Sequence, residues 1–298
     1  MDAGGDDAAG CTDGVCLAPP ANGFQVLSQG TTISAGEDVE YCEVVQLPGT
    51  AADTYYVSKF ESKMTSGSHH LIVAAVESGS ATESGLEVGQ RVTCGGPGGV
   101  GEDLIEVTGS QTIYDVEEFP EGVGRVYRGG QYLVFNYHYL NTTDDELPAR
   151  AAVNFHLTDA ANVQHIAMDF GFYNLSISTP PGESRSFTKT CYFTEEVVVH
   201  KLVRHTHRWG TDFTAWYAGG AKDGQQIFTT PTYEDNDHIF PEPITVAAGE
   251  GFTFECNYFN DTDSDLVFGT KATDEMCILF GTYWSASGNE IAEQGCFF

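Results

Sequence analysis

Short runs rich in β-branched and aromatic residues recur along this chain between clusters of Gly, Pro, Asn and Asp, and no window of useful length carries helical periodicity. Runs of this kind occupy 54–60, 68–76, 131–140, 151–157, 186–193, 196–207, 213–218, 251–259 and 276–284. Many short strands divided by turn signals fold as antiparallel β-sandwiches. A length of 298 residues allows two such domains, each able to bury its own core. The polar stretch 158–163, between two strand-like runs, is where one would end and the next begin. The expected organisation is a leader over 1–22, a first sandwich over 23–160 and a second over 161–298. The leader is rich in Gly, Ala and Asp and reads as a flexible acidic tether. No internal sequence repeat is visible.

Thirteen basic residues against 43 acidic ones give a net charge of −30, spread along the whole chain. Phosphate binding needs a basic surface, so nucleic acid is excluded as a partner. The charge itself reads as solubility. The eight cysteines contain no tight Cys-x-x-Cys pair, which argues against zinc ribbons and for disulfides in an oxidising compartment: secreted, periplasmic or cell-surface. No apolar run is long enough to span a bilayer, and the first residues are unlike a signal peptide. An exported protein would then carry its targeting segment outside this sequence, and such a segment leaves room for a membrane tether.

Five of the nine histidines sit in motifs: His69-His70, His138, and His205-Thr-His207. Side chains on a strand alternate, so His205 and His207 share one face and both reach a single metal ion. Adjacent His69 and His70 point to opposite faces, and share an ion only at a strand end or a bulge, or through different ring nitrogens. His138, alone in an apolar strand, ordinarily reads as a hydrogen-bonded core residue. Met276 reads as core filling unless the metal is soft; a thioether beside two imidazoles selects copper, Cu(I) above all. Asp274 and Glu275 beside it either orient a ligand or face water.

Several segments, in order, resemble the ascorbate-dependent type II copper monooxygenases, the family of peptidylglycine α-hydroxylating and dopamine β-monooxygenases. They are Tyr41-Cys42, Ser68-His-His-Leu71, Gly129-Gly-Gln-Tyr-Leu133, His138-Tyr139-Leu-Asn141, Thr179-Pro-Pro-Gly182, Cys191, His205-Thr-His207, the stretch from Gly249 to Cys256, and Thr273-Asp-Glu-Met-Cys277. The resemblance implies two consecutive jelly-roll-like sandwiches facing each other across a cleft. It implies two copper ions, one on His69, His70 and His138 and one on His205, His207 and Met276. Dioxygen and substrate would meet at the second, making His205, His207 and Met276 catalytic. The first would store an electron supplied by ascorbate or a similar donor. It also implies the disulfides Cys42–Cys94, Cys191–Cys296 and Cys256–Cys277, which leaves Cys11 to pair with Cys16.

The departures bear on substrate. Where the peptidylglycine branch carries an Arg, an Asn and a Tyr that hold a carboxylate, this chain has Val203, Ile278 and Phe280, with the basic residue moved to Arg204. On a regular strand Arg204 faces away from Val203. An apolar pocket wall and a small neutral, aromatic or aliphatic substrate follow as expectations, C–H hydroxylation being the reaction. The alternative is an exported copper-binding or copper-scavenging protein without turnover. Tyr283 and Trp284 read as core aromatics. His156, His165, His200 and His238 fall outside the ligand motifs, His200 standing in the run that leads to His205. Sequons begin at Asn141, Asn174 and Asn260.

Overall fold

The computed structural model describes residues 14–80, 82–92, 94, 104–231, 237–269, 273–288 and 294–296. Among them there is no α-helix, only strands and two single 3-10 turns, Ala160–Asn162 and Gly220–Lys222. The chain divides into two compact units, Met1–Val163 and Gln164–Phe298. The first ends where the polar stretch 158–163 ends.

In the first unit a five-stranded sheet runs in the order Arg91–Val92, Asp38–Gln46, Tyr132–Leu140, Ser68–Val76, Leu104–Ser110. Tyr132–Leu140 is its middle strand, antiparallel to both neighbours and buried along nearly its whole length. A second sheet is centred on Thr54–Met64, which pairs with Ala151–Thr158, Val123–Arg128 and Tyr114–Glu118. Gly23–Leu27 closes one edge against Ala151–Thr158. The described part of the leader, residues 14–22, is docked on the first unit. Val15 and Leu17 are buried against Ala152, and Asn154 and Gln25 donate to the Ala18 and Leu17 carbonyls at 2.8 and 2.7 Å. Val15 and Leu17 supply the apolar surface that docks it. Cys11, and with it the Cys11–Cys16 pairing, lies outside the described residues.

The second unit repeats the plan. One sheet runs Asp237–Val246, Val197–His205, Ile278–Ser285, Met168–Tyr173, Gly295–Cys296, and the other Ser184–Tyr192, Gly251–Phe259, Gly210–Ala218, Gln226–Thr230. Period-two alternation sends Phe252, Phe254, Cys256 and Tyr258 inward from one sheet, to meet Phe170, Phe172, Val199 and Tyr283 from the other in one aromatic core. Burying each of these large side chains stabilises the unit by roughly 1.5–3 kcal/mol. The disulfides Cys42–Cys94, Cys191–Cys296 and Cys256–Cys277 are formed, and no helix of the described residues is long and apolar enough to cross a membrane.

The three sequon asparagines are buried: Asn141 at 1 %, Asn174 at 6 % and Asn260 at 0 % exposure. Each side-chain amide is spent on the fold, Asn260 donating to the Thr179 and Ser264 carbonyls at 2.7 Å and Asn174 to the Thr188 carbonyl. A glycan on that nitrogen would break these bonds. Intact mass analysis of the folded chain from a glycosylating host is expected to show no N-glycan at these positions. Asn260→Ala is expected to cost roughly 1–3 kcal/mol for each buried group left unpaired, read from the urea midpoint at unchanged slope.

Candidate metal centres

The adjacent histidines of the first unit are reconciled by a bulge. In the ladder between Ser68–Val76 and Tyr132–Leu140, His70 pairs with His138 and Ser68 with Tyr139, so His69 is an extra residue with no cross-strand partner. One inserted residue breaks the strict alternation and lets both imidazoles turn to the same side. The three rings form a triangle with centroids 5.0–5.4 Å apart, and ligand atoms of His69, His70 and His138 all lie within 4.8 Å of one another. The Nδ1 atoms of His69 and His70 approach to 3.2 Å.

Two carboxylates stand behind this trio. Asp38 meets His138 Nε2 at 2.5 Å, which leaves Nδ1 of that ring for a ligand. Glu40, directly across from His138, lies 3.7 Å from His70 Nε2. Its carboxyl is held below the ordinary range, chiefly by His70, against the upward push of burial and with Asn136 and His138 adding to the lowering. Imidazoles with one nitrogen on a carboxylate and the other turned inward are the usual support of a bound metal, so the residues fit a transition-metal ion. The sequence reasoning missed Asp38 and Glu40. Their signal was an Asp-x-Glu in a strand, two carboxylates on one face.

In the second unit, residues 201–207, at the end of Val197–His205 and in the turn after it, alternate cleanly: Leu202, Arg204 and Thr206 are buried, while Val203, His205 and His207 are half-exposed on the opposite face. The rings of His205 and His207 lie 5.4 Å apart. His207 Nδ1 donates to the Asp274 carbonyl at 2.8 Å, leaving Nε2 for a metal. Met276 is drawn to this spot by its backbone. Ile278, two residues on, pairs with His205; Tyr258 donates to the Met276 carbonyl at 2.6 Å; and the disulfide at Cys277 ties the next residue to Cys256. Two imidazoles beside a thioether form a donor set suited to copper.

The centre of this arrangement is Glu275, which is completely buried and does not face water. Its carboxylate accepts from the backbone N–H groups of His207 and Trp209 at 2.9 Å and Met276 at 3.2 Å. Burial pushes its carboxyl up to about 7, and the three donors and the nearby Arg204 cation pull against that. Arg204 therefore leaves the expected substrate pocket. It is fully buried on the core face, donating to Thr206 Oγ1 at 2.9 Å, because its position on the strand is opposite in parity to Val203 and His205. Val203 pairs with Phe280 across the strands, on the face that carries His205 and Ile278. Tyr173, Met276 and Ile278 form a small apolar cluster there with Phe268 and Phe280 against it.

The remaining histidines lie elsewhere. His156 meets Glu61 at 3.2 Å, and His238 stacks on Phe228, burial holding its imidazole below the ordinary range. Trp284 stands with the rings of His165 and His200 at 6.2 and 6.5 Å, whereas Tyr283 is in the core.

A three-imidazole cluster in one unit and a His-x-His turn tied to a methionine segment in the other are donor sets suited to a soft or borderline transition-metal ion such as copper. Residues 168–298, almost the whole of the second unit, match the family model of the copper type II ascorbate-dependent monooxygenase C-terminal domain. Among solved structures it is similar to the STIV MCP (8 % identity, 88 % of this chain and 97 % of that one, TM-score 0.35). It is similar also to PNGF-II (9 % identity, 91 % and 62 %, TM-score 0.27). Overlaps this small decide nothing about the sites.

Replacing Glu275 by Ala is expected to strand the buried Arg204 charge and three N–H donors, at a cost of roughly 3–5 kcal/mol in urea unfolding. Conversely, Asp274→Ala keeps the carbonyl that His207 uses and is expected to cost far less in the same measurement.

Proposed function

We propose that the chain is a two-copper monooxygenase that hydroxylates a C–H bond of a small organic substrate with dioxygen and a one-electron donor such as ascorbate. Its units are two jelly-roll-like antiparallel β-sandwiches over about 23–160 and 161–298, exported to an oxidising compartment where the disulfides persist. One copper is held by His69, His70 and His138, the other by His205, His207 and Met276. The observation that carries the reading is the pair of chemically different donor sets, one purely imidazole and one containing a thioether. A scavenger has no use for that difference.

Bound copper would supply one-electron transfer to dioxygen, the hard step of the reaction. The chain's own residues do the rest. Asp38 and Glu40 fix the ring orientations of the imidazole trio, and the Asp274 carbonyl fixes the proton of His207 on Nδ1. Glu275 holds the His207 turn and the Met276 segment together from beneath. Val203, Ile278 and Phe280 give the neighbouring face an apolar character and exclude water, which suits a neutral aliphatic or aromatic substrate better than a carboxylate. Arg204 is not available to bind an anion.

The wild-type chain is expected to take up two copper ions, falling to one in His69→Ala/His70→Ala and to one in His205→Ala/His207→Ala, by metal analysis after dialysis. Met276→Ile is expected to abolish ascorbate-dependent oxygen uptake coupled to substrate oxidation. Substrate is to be found by mass gain of one oxygen in a mixture of small phenols, amines and peptides. Undiminished turnover in Met276→Ile would overturn the assignment of the second centre, and two bound coppers with no turnover of any kind would favour the scavenger.

A further inference from the structure

The strand Asp38–Gln46 sends carboxylates to both of its faces. Asp38 and Glu40 stand on the histidine side, whereas Glu43 shares the opposite face with Tyr41 and Val45 and with their cross-strand partners Tyr137, Phe135 and Leu133. That face is buried, and Glu43 itself is 1 % exposed. Its two oxygens accept from the Gln29 N–H at 2.6 Å and from the Tyr137 hydroxyl at 2.8 Å. Burial, and after it the Glu43 charge, holds the Tyr137 phenol well above its ordinary range, so this partner keeps its proton and donates. Both partners are neutral. Arg91, directly across the ladder from Glu43, is turned onto the Tyr41 ring, its guanidinium carbon 4.1 Å from the ring centre. Among the described residues no cation stands within ion-pair distance of Glu43. A buried carboxylate held only by neutral donors is an uncompensated charge, which is costly to keep from water. Neither metal centre makes use of it.

Beside this carboxylate lies a cavity of about 330 Å³, lined by Glu43 together with Phe24, Val26, Val45, Pro48 and Val88. It sits where two sheets end. Gly23–Leu27 is an edge strand of one, and Arg91–Val92, the edge of the other, pairs with Asp38–Gln46 only at Cys42 and Glu43. Val88, 59 % exposed, stands at the mouth. The volume is within the span of small-molecule sites, and so is the composition, apolar walls around one fixed polar group.

We propose that this cavity is a ligand site for a small organic ammonium ion, whose charged head pairs with Glu43 and whose apolar body packs against Phe24, Val26 and Val88. The chemistry selects that class. A carboxylate offers about four acceptor positions, and Gln29 and Tyr137 take two of them; the rest suit a positively charged N–H donor. Calcium or magnesium is a poor match, because such ions take roughly six or more oxygen ligands and the other walls are apolar. An anion is repelled by Glu43 and by the net charge of −30. A neutral molecule fills the space but leaves the carboxylate uncompensated. The inference stands on this cavity alone and is independent of the copper reading.

The test uses the full chain with metal removed by a chelator, at about 0.15 M salt so that surface carboxylates are screened. The probes are 4-fluorobenzylammonium and its neutral counterpart 4-fluorobenzyl alcohol, titrated by fluorine NMR. The ammonium is expected to bind saturably at one site, roughly tenfold or more tighter than the alcohol. Glu43→Gln keeps an acceptor for Gln29 and Tyr137, and is expected to lower the affinity for the ammonium to that for the alcohol. Val88→Trp, at the exposed mouth, is expected to weaken both probes by a similar factor, and together with the wild-type preference it decides the matter if Glu43→Gln fails to fold. Equal affinities for the two probes, or no saturable binding of either, would overturn the inference. Ammonium binding that is unchanged in Glu43→Gln or in Val88→Trp would overturn it as well, by placing the probe on surface acids.

Discussion

Side chains alternate along a strand, and adjacent histidines on a regular strand diverge. A single inserted residue at His69 removes that obstacle, and every property of the first centre follows from it. The bulge turns His69 and His70 to the side on which His138 stands. The middle position of Tyr132–Leu140 fixes His138 between two strands, and its other neighbour, Asp38–Gln46, brings Asp38 and Glu40 behind the rings. The trio is rigid because the strands that carry it lie inside a sheet, not on a loop.

The second centre reaches comparable order by another route. His205 ends a strand and His207 lies beyond it, so ladder bonds alone do not hold the pair. The buried carboxylate of Glu275 replaces them, accepting from the His207, Trp209 and Met276 N–H groups while Arg204 balances its charge from the core. Burying a charge is costly unless it is hydrogen-bonded and opposed, and here it is both. The Cys256–Cys277 bridge and the Tyr258 hydroxyl secure the same segment from its other end.

Much of this was legible in the sequence, for physical reasons. The all-β character followed from run length and turn residues, and the shared face of His205 and His207 from period-two alternation. The same alternation separates Arg204 from Val203. What stayed hidden depends on partners distant in sequence. A bulge is a property of a pairing, so His69-His70 showed a difficulty without showing its solution. Glu275 between Asp274 and Met276 resembles a surface carboxylate until the backbone donors that surround it are placed. The docking of Val15 and Leu17 likewise needed Ala152 in position.

In the proposed function two unlike donor sets hold copper, one of them through Met276. X-ray absorption at the copper edge of the ascorbate-reduced, copper-loaded protein measures this most directly. A sulfur scatterer in addition to imidazole, in the proportion of one for every two coppers and absent in Met276→Ile, is the predicted result. A spectrum fitted by imidazole nitrogen alone, unchanged by that substitution, would contradict it.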